Sequence, residues 1–179
     1  PGMHNVLNAL GCIALCNEYG ISSKDIKNGL AKFTGAGRRF EYKGKVNGAS
    51  IYDDYGHHPT EILATAKALM NKKYNKSWVV FQPHTYSRTK LLLNDFAKAL
   101  LNFDNIIVLD VYAAREKNTY GVSSKDLVNR INELGKNAKY IPDFDECVKY
   151  LKDNIQENDI ILTQGAGTVT QIGPMSLKK

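Results

Sequence analysis

No stretch of the 179 residues approaches the roughly 20 consecutive apolar positions that a membrane-spanning helix needs. The opening residues, PGMHNVLNAL, carry neither the basic stretch nor the cleavage site of a signal peptide, so the expectation is a globular, cytoplasmic chain without a membrane partner. Cysteine is scarce and odd in number: Cys12, Cys16 and Cys147, with no CxxC pair, support neither a disulfide framework nor a zinc site, and no metal ligand set is expected. Cys12 and Cys16 lie four apart on one face of an expected helix and read as small buried hydrophobes. The chain also lacks a GxxxxGK[ST] phosphate loop, a GxSxG elbow, an HExxH pair and a dinucleotide GxGxxG. It can therefore hold only part of an ATP site. Its formal charge of +6 is spread over 24 Lys and Arg without a dense basic block, which argues against a nucleic-acid partner.

What is present alternates in period. Residues 4–19 place Val6, Leu7, Leu10, Ile13, Ala14 and Leu15 in a wide helical stripe ending at Gly20, and this helix is expected to be buried on much of its surface. A serine, Ser22 or Ser23, caps a second helix that faces Ile26, Leu30 and Phe33 one way. After the glycines of TGAGRR a hairpin is expected to turn near residues 43–45, followed by a strand ending at Asp53. From there strands and helices alternate: a helix from Pro59, the strand SWVVFQP, one amphipathic helix RTKLLLNDFAKALL, the strand NIIVLDVY, a capped helix, a short strand AKYIP, a helix DFDECVKYLKDNI, and DIILTQGAG running into a glycine turn and a last helix. The fold class is α/β: a mostly parallel, Rossmann-like sheet with helices on both faces, preceded by a small helical piece.

In such sheets, sites collect at the carboxyl ends of the strands. Here those ends read DDYGHHP, FQPHTYSRT, DVYAARE and TQGAG, so nearly all the unusual chemistry falls on one edge. Asp53 and Asp54 can accept ribose hydroxyls, help hold a cation, or serve as helix caps. His57 and His58 titrate near neutrality and suit proton transfer or anion contact; being adjacent, one faces a ligand and the other braces. Arg88, at the start of the following helix and near His84, offers a planar fork to a carboxylate or phosphate. At the positive end of a long helix an arginine is unfavourable unless an anion accompanies it. Ser87 or Thr85 can cap that helix, and Arg38 and Arg39 form a second basic point, one facing an anion and one covering apolar surface with its stem. The GAG at 165–167 either exposes backbone N–H groups to an anion or makes a tight strand-to-helix turn.

HNVLNA at 4–9, DDYGHHPTE at 53–61 and FQPHTYSRT at 81–89, with GAGRRFE and GAGTVTQIG in support, together resemble the Mur ligases. The likeness covers the whole chain but only the back part of such an enzyme. It implies that residues 1–36 end a central ATP-binding domain, here as a helical remnant, and that residues 37–179 form the C-terminal domain. It also implies a cytoplasmic, ATP-dependent carboxylate–amine ligase of peptidoglycan precursor synthesis, in the branch that joins L-alanine to UDP-N-acetylmuramate through an acyl phosphate. In that reading His4, Asn5 and Asn8 sit against adenine, Arg38 or Arg39 reaches the nucleotide phosphates, and Asp54 holds the ribose. Tyr55 and His57 form the alanine pocket, Arg88 binds the alanine carboxylate, and His57 and Arg88 serve the reacting centre. Mg2+ is held mainly by the part outside these residues, and the 179 residues alone are expected to be inactive. Two alternatives stay open: a recycling ligase that adds a tripeptide to the same sugar nucleotide, and a stand-alone nucleotide-binding module.

Overall fold

The computed structural model describes residues 3–33 and 35–178, with side chains from residue 5. The chain divides into two compact units, 1–36 and 37–179. Among the described residues no helix is long and apolar enough to cross a membrane.

The first unit is a helix pair. α1 spans Met3–Glu18, and α2, Ser23–Lys32, starts at the N-cap Ser22, whose Oγ accepts the Asp25 N–H. The cap is local and was legible; the burial expected for α1 is not observed. Val6, Leu7, Leu10 and Leu15 are more than half exposed, Cys12 is exposed and Cys16 half-buried, because within this unit α1 has only α2 to pack on. A single short partner covers only a narrow stripe of an apolar helix.

The second unit carries a six-stranded sheet in the order β1-β2-β6-β3-β4-β5. The strands are β1 (Glu41–Val46), β2 (Ala49–Asp54), β3 (Ser77–Phe81), β4 (Asn105–Val108), β5 (Ala138–Tyr140) and β6 (Ile160–Gln164). Only β1 is antiparallel, so the mostly parallel sheet read from the alternation is the one observed. The β1–β2 hairpin does not turn at 43–45. It turns at Asn47–Gly48, both with positive φ, the Asn-Gly pair whose backbone twist suits a two-residue hairpin. The irregularity near Lys43 is a bulge between Tyr42 and Gly44.

Helices cover both faces. On one, α3 (Pro59–Met70), α5 (Leu93–Leu100) and α6 (Ser124–Glu133) bury Ile62, Leu69, Phe96, Leu100, Leu127 and Ile131 against Phe81, Val108 and Leu162. On the other, α7 (Phe144–Asn154) and α8 (Ile172–Leu177) pack Leu151, Val148 and Ile172 on Ile51, Val80, Ile107 and Ile161. Burying each such side chain contributes about 1.5–3 kcal/mol, so the parallel strands need near-continuous apolar runs, and β3 and β6 are buried at every position. Cys147 lies in the second core, where burial, with Asp143 and Glu146 nearby, pushes its thiol up to about 12 and leaves it inert.

The stretch RTKLLLNDFAKALL is not one helix. α4 (Tyr86–Leu91) ends at Leu92, whose φ of −108° and ψ of 18° leave helical geometry, and α5 begins at Leu93. At the break Leu92 and Leu93 both lean on the core while Leu91 points to solvent.

Candidate active site

The register sets the edge level. Asp54 pairs with Gln164, Gln164 with Phe81 and Phe81 with Val108, so the loops after β2, β6, β3 and β4 leave the sheet side by side. The chain runs from β2 to β3 and returns later to insert β6 between them, which makes this the switch point where a crevice opens.

Both aspartates at the end of β2 face inward. Asp53, wholly buried, accepts from Arg38 Nε at 2.9 Å, Thr163 Oγ1 at 2.7 Å and Thr170 Oγ1 at 2.9 Å. Asp54 accepts from the Phe40 N–H, the Gly56 N–H, Thr65 Oγ1 and Gln164 Nε2. Four donors nearly fill a carboxylate, so Asp54 braces the loops on either side of it and presents little to a ribose. What the pair holds is a hook at residues 38–40. Arg38 and Phe40 adopt positive φ, a conformation costing non-glycine residues about 1–2 kcal/mol each. Asp53 ties down the Arg38 side chain, Asp54 the Phe40 N–H, and the Arg38 carbonyl accepts the Tyr55 N–H at 2.7 Å.

The two arginines of the hook therefore differ. Arg38 is pinned, with a second bond from Nη2 to the Gly165 carbonyl at 2.6 Å. Arg39 is the exposed one: its side chain is 56% accessible, and its ion pair to Glu61 is a loose 3.6 Å.

The adjacent histidines have different partners. His58 is the N-cap of α3: its Nδ1 accepts the Thr60 N–H, Glu61 closes a capping box, and Pro59 follows where a missing N–H costs nothing. His57 is half-buried, and its Nδ1 lies 3.1 Å from the Tyr55 carbonyl. A carbonyl only accepts, so in that contact Nδ1 is the donor. Its ring meets Tyr55 edge-on at 5.3 Å and lies 5.6 Å from His84, which stacks on Tyr112 at 5.7 Å.

Arg88 completes the cluster. Its Nη1 is 3.3 Å from His84 Nδ1, and among the described residues no carboxylate pairs with it. Burial holds the His84 imidazole below its usual 6.5, and the charges of Arg88 and His57 press it the same way, against a smaller pull from Glu116. A neutral His84 can accept from Arg88. In an NMR pH titration the His84 ring should lose its proton below 6.5, and Arg88→Ala should move that midpoint upward. Because the unfolded chain binds this proton first, His84 costs stability as pH falls from about 6.5 to its lower folded value. A midpoint at or above 6.5 in the folded chain would remove the neutral acceptor.

Glycine at 165–167 is a matter of packing. A Cβ on Gly165, at φ +144°, would stand 2.6 Å from the Gln82 carbonyl, and one on Gly167 would strike Gln82 Oε1 and Tyr112. Gln82 holds the turn by accepting the Val169 N–H at 2.9 Å. The tight strand-to-helix turn is thus the role the structure gives these residues. Thr85 occupies the N-cap of α4 without capping it, and Ser87 is itself bound by Glu116, a residue the sequence reading left without a role. Its only signal was its place in DVYAARE at a strand end. Asn5 and Asn8 lie exposed on α1 in the first unit, and the His4 side chain lies outside the described residues.

The carboxylates on this edge suit magnesium poorly. Asp53, Asp54 and Glu61 spend their oxygens on internal donors, and no group of three or more possible metal ligands forms among the described residues. A nucleotide phosphate fits better, at Arg39.

The sequence model of the family described as Mur ligase, glutamate ligase domain, matches residues 38–167. The chain is 53% identical over all 179 residues to the UDP-N-acetylmuramate–L-alanine ligase of Agathobacter rectalis, and spans 39% of that protein's length. The crystal structure of the UDP-N-acetylmuramate–alanine ligase of Thermotoga maritima superposes with a TM-score of 0.79 at 30% identity, covering 99% of this chain and 37% of that one. A murein peptide ligase from Psychrobacter arcticus shares the fold, with a TM-score of 0.74 at 24% identity over 98% of this chain and 36% of that one. The matched residues begin at the hook and take in every strand-end loop of the crevice, and on that ground the chain belongs to the Mur ligase family.

Proposed function

We propose that this chain is the back part of a cytoplasmic, ATP-dependent ligase that joins L-alanine to UDP-N-acetylmuramate. The observation that carries it is Arg88, half-buried beside a neutral His84 and without an acidic partner among the described residues, in a chain so similar throughout to an enzyme of that name. The amino acid's carboxylate supplies the missing anion, received by the Arg88 fork. Tyr55 and His57 wall the same pocket, and the free Nε2 of His57 takes the proton that the attacking amine sheds. The electrophile is an acyl phosphate made from ATP in the part of the enzyme beyond these residues, where Mg2+ belongs. Here the chain's work is to orient the amine and exclude water. Arg39, exposed at the apex of the hook, reaches the nucleotide phosphates, while Arg38 keeps the hook in shape. Residues 1–36 end the central ATP-binding domain, with His4, Asn5 and Asn8 against adenine. Asp54 serves the ribose side by shaping the loop, with at most one oxygen lone pair to offer a hydroxyl.

The test is phosphate release by the longer ligase that contains this chain. Release should require ATP, Mg2+, UDP-N-acetylmuramate and L-alanine together, and the isolated 179 residues should give none above background. Release supported by a tripeptide and not by L-alanine would assign the recycling reaction instead. Steady release from the isolated chain would refute the division of labour.

A further inference from the structure

We propose that Glu116 is a positioning residue of the amino-acid site, one that clamps the first turn of α4 through Ser87 and so aims Arg88. The inference rests on the assignment of Arg88 to the substrate carboxylate.

The geometry begins with a cap that is missing locally. Thr85 stands at the N-cap of α4 with φ +65°, and its hydroxyl makes no capping bond. An uncapped first turn leaves N–H groups without acceptors. The acceptor arrives from 29 residues further on: Glu116 Oε2 takes the Ser87 N–H at 2.9 Å, and Oε1 takes the Ser87 hydroxyl at 2.5 Å. Both oxygens of one carboxylate thus hold a single residue, the one next to Arg88. These two bonds hold Glu116 below the usual carboxylate range, so the clamp stays ionised at working pH.

Glu116 can do this because its own loop is fastened to the same strand end. The Leu109 N–H donates to the Phe81 carbonyl, the Tyr112 N–H to the Pro83 carbonyl, and the Thr85 N–H back to the Tyr112 carbonyl, each within 2.9 Å. Tyr112 also stacks on His84. The last link is the Glu116 N–H donating to the Ala113 carbonyl at 2.9 Å, across Ala114 at positive φ. The loop after β4 therefore acts as a splint along residues 81–87, with Glu116 as its terminal pin. Glu116 forms no ion pair with Arg88, which keeps the guanidinium available for a ligand. The carboxylate thus supports the site without neutralising it.

Clamping an arginine's neighbour affects the ligand that the arginine holds, and little else. In the longer ligase, Glu116→Ala should raise the L-alanine concentration for half-maximal phosphate release about tenfold, with ATP half-saturation within twofold of wild type. Such a loss matches a charge-assisted contact. Glu116→Gln can accept only one of the two donors, and Ser87→Ala keeps only the backbone bond, so each should give about threefold. If Glu116→Ala fails to fold, those two variants decide by the same split. Arg88→Ala is the control. A large alanine effect in Arg88→Ala with none in the Glu116 and Ser87 variants overturns the clamp alone. No alanine effect in Arg88→Ala removes the site assignment and the clamp with it. Equal rises for alanine and ATP would make Glu116 a general fold residue and refute the positioning role.

Discussion

Arg88→Ala should raise the L-alanine concentration for half-maximal phosphate release roughly 100-fold, about 2.7 kcal/mol, in the longer ligase, while ATP half-saturation stays near wild type. The size follows from what the side chain offers. A guanidinium meeting a carboxylate makes two parallel charge-assisted bonds, each worth about 1.5–3 kcal/mol before the cost of stripping water from both groups. The helix-dipole argument that first drew notice to Arg88 is weaker than it looks in the sequence. α4 has only six residues, so its dipole is small and its first turn is nearly its last. The stronger argument is the absence of any acidic partner among the described residues, next to a ring kept neutral by burial and by Arg88 itself. Arg88→Lys keeps the charge and loses the fork, and should fall between the two. If L-alanine half-saturation in Arg88→Ala stays within twofold of wild type, the carboxylate binds elsewhere.

The edge of the sheet was legible and the wiring on it was not, for a physical reason. Alternating strand and helix periods are local properties, and they place DDYGHHP, PHTYSRT and TQGAG on one side without any knowledge of contacts. Whether Asp54 faces a ligand or the protein depends on donors at Phe40, Gly56, Thr65 and Gln164, three of them distant in sequence. No window of sequence contains that set. His58 shows the converse: its capping partners, Thr60 and Glu61, lie within three residues, and a bracing role for one histidine of the pair could be read directly. The hairpin erred for a local reason, since Asn47–Gly48 carried the stronger turn chemistry and the lysines near position 44 the weaker. The exposure of α1 belongs to a third kind. Its apolar stripe is plain in the sequence, but burial requires a partner, and α2 alone is too small to be one.

The crowding of charge in DDYGHHPTE is as much a structural device as a chemical one, and Asp53→Ala should expose that device. The substitution removes three hydrogen bonds from a carboxylate with no accessible surface and leaves Arg38, whose side chain is 24% exposed, with the Gly165 carbonyl and the face of the Tyr55 ring. Breaking a buried pair from one side costs about 3–5 kcal/mol; the partial exposure of Arg38 puts the expected loss near the lower end, about 3 kcal/mol. For a chain of this size that lowers the thermal midpoint by roughly 6–12 °C. Trp78, the only tryptophan and 6% exposed in the second core, reports the transition by its fluorescence. Asp53→Asn keeps an acceptor for Thr163 and should lose less. The double variant Asp53→Ala with Arg38→Met removes the orphaned charge as well and should recover part of the loss, since the two residues share one interaction. A midpoint for Asp53→Ala within 2 °C of the parent would mean the hook at residues 38–40 holds itself. If it falls as expected, the left-handed geometry at Arg38 and Phe40 is maintained by the aspartates. The placement of Arg39, for which we propose a nucleotide phosphate, then depends on the buried carboxylate of Asp53.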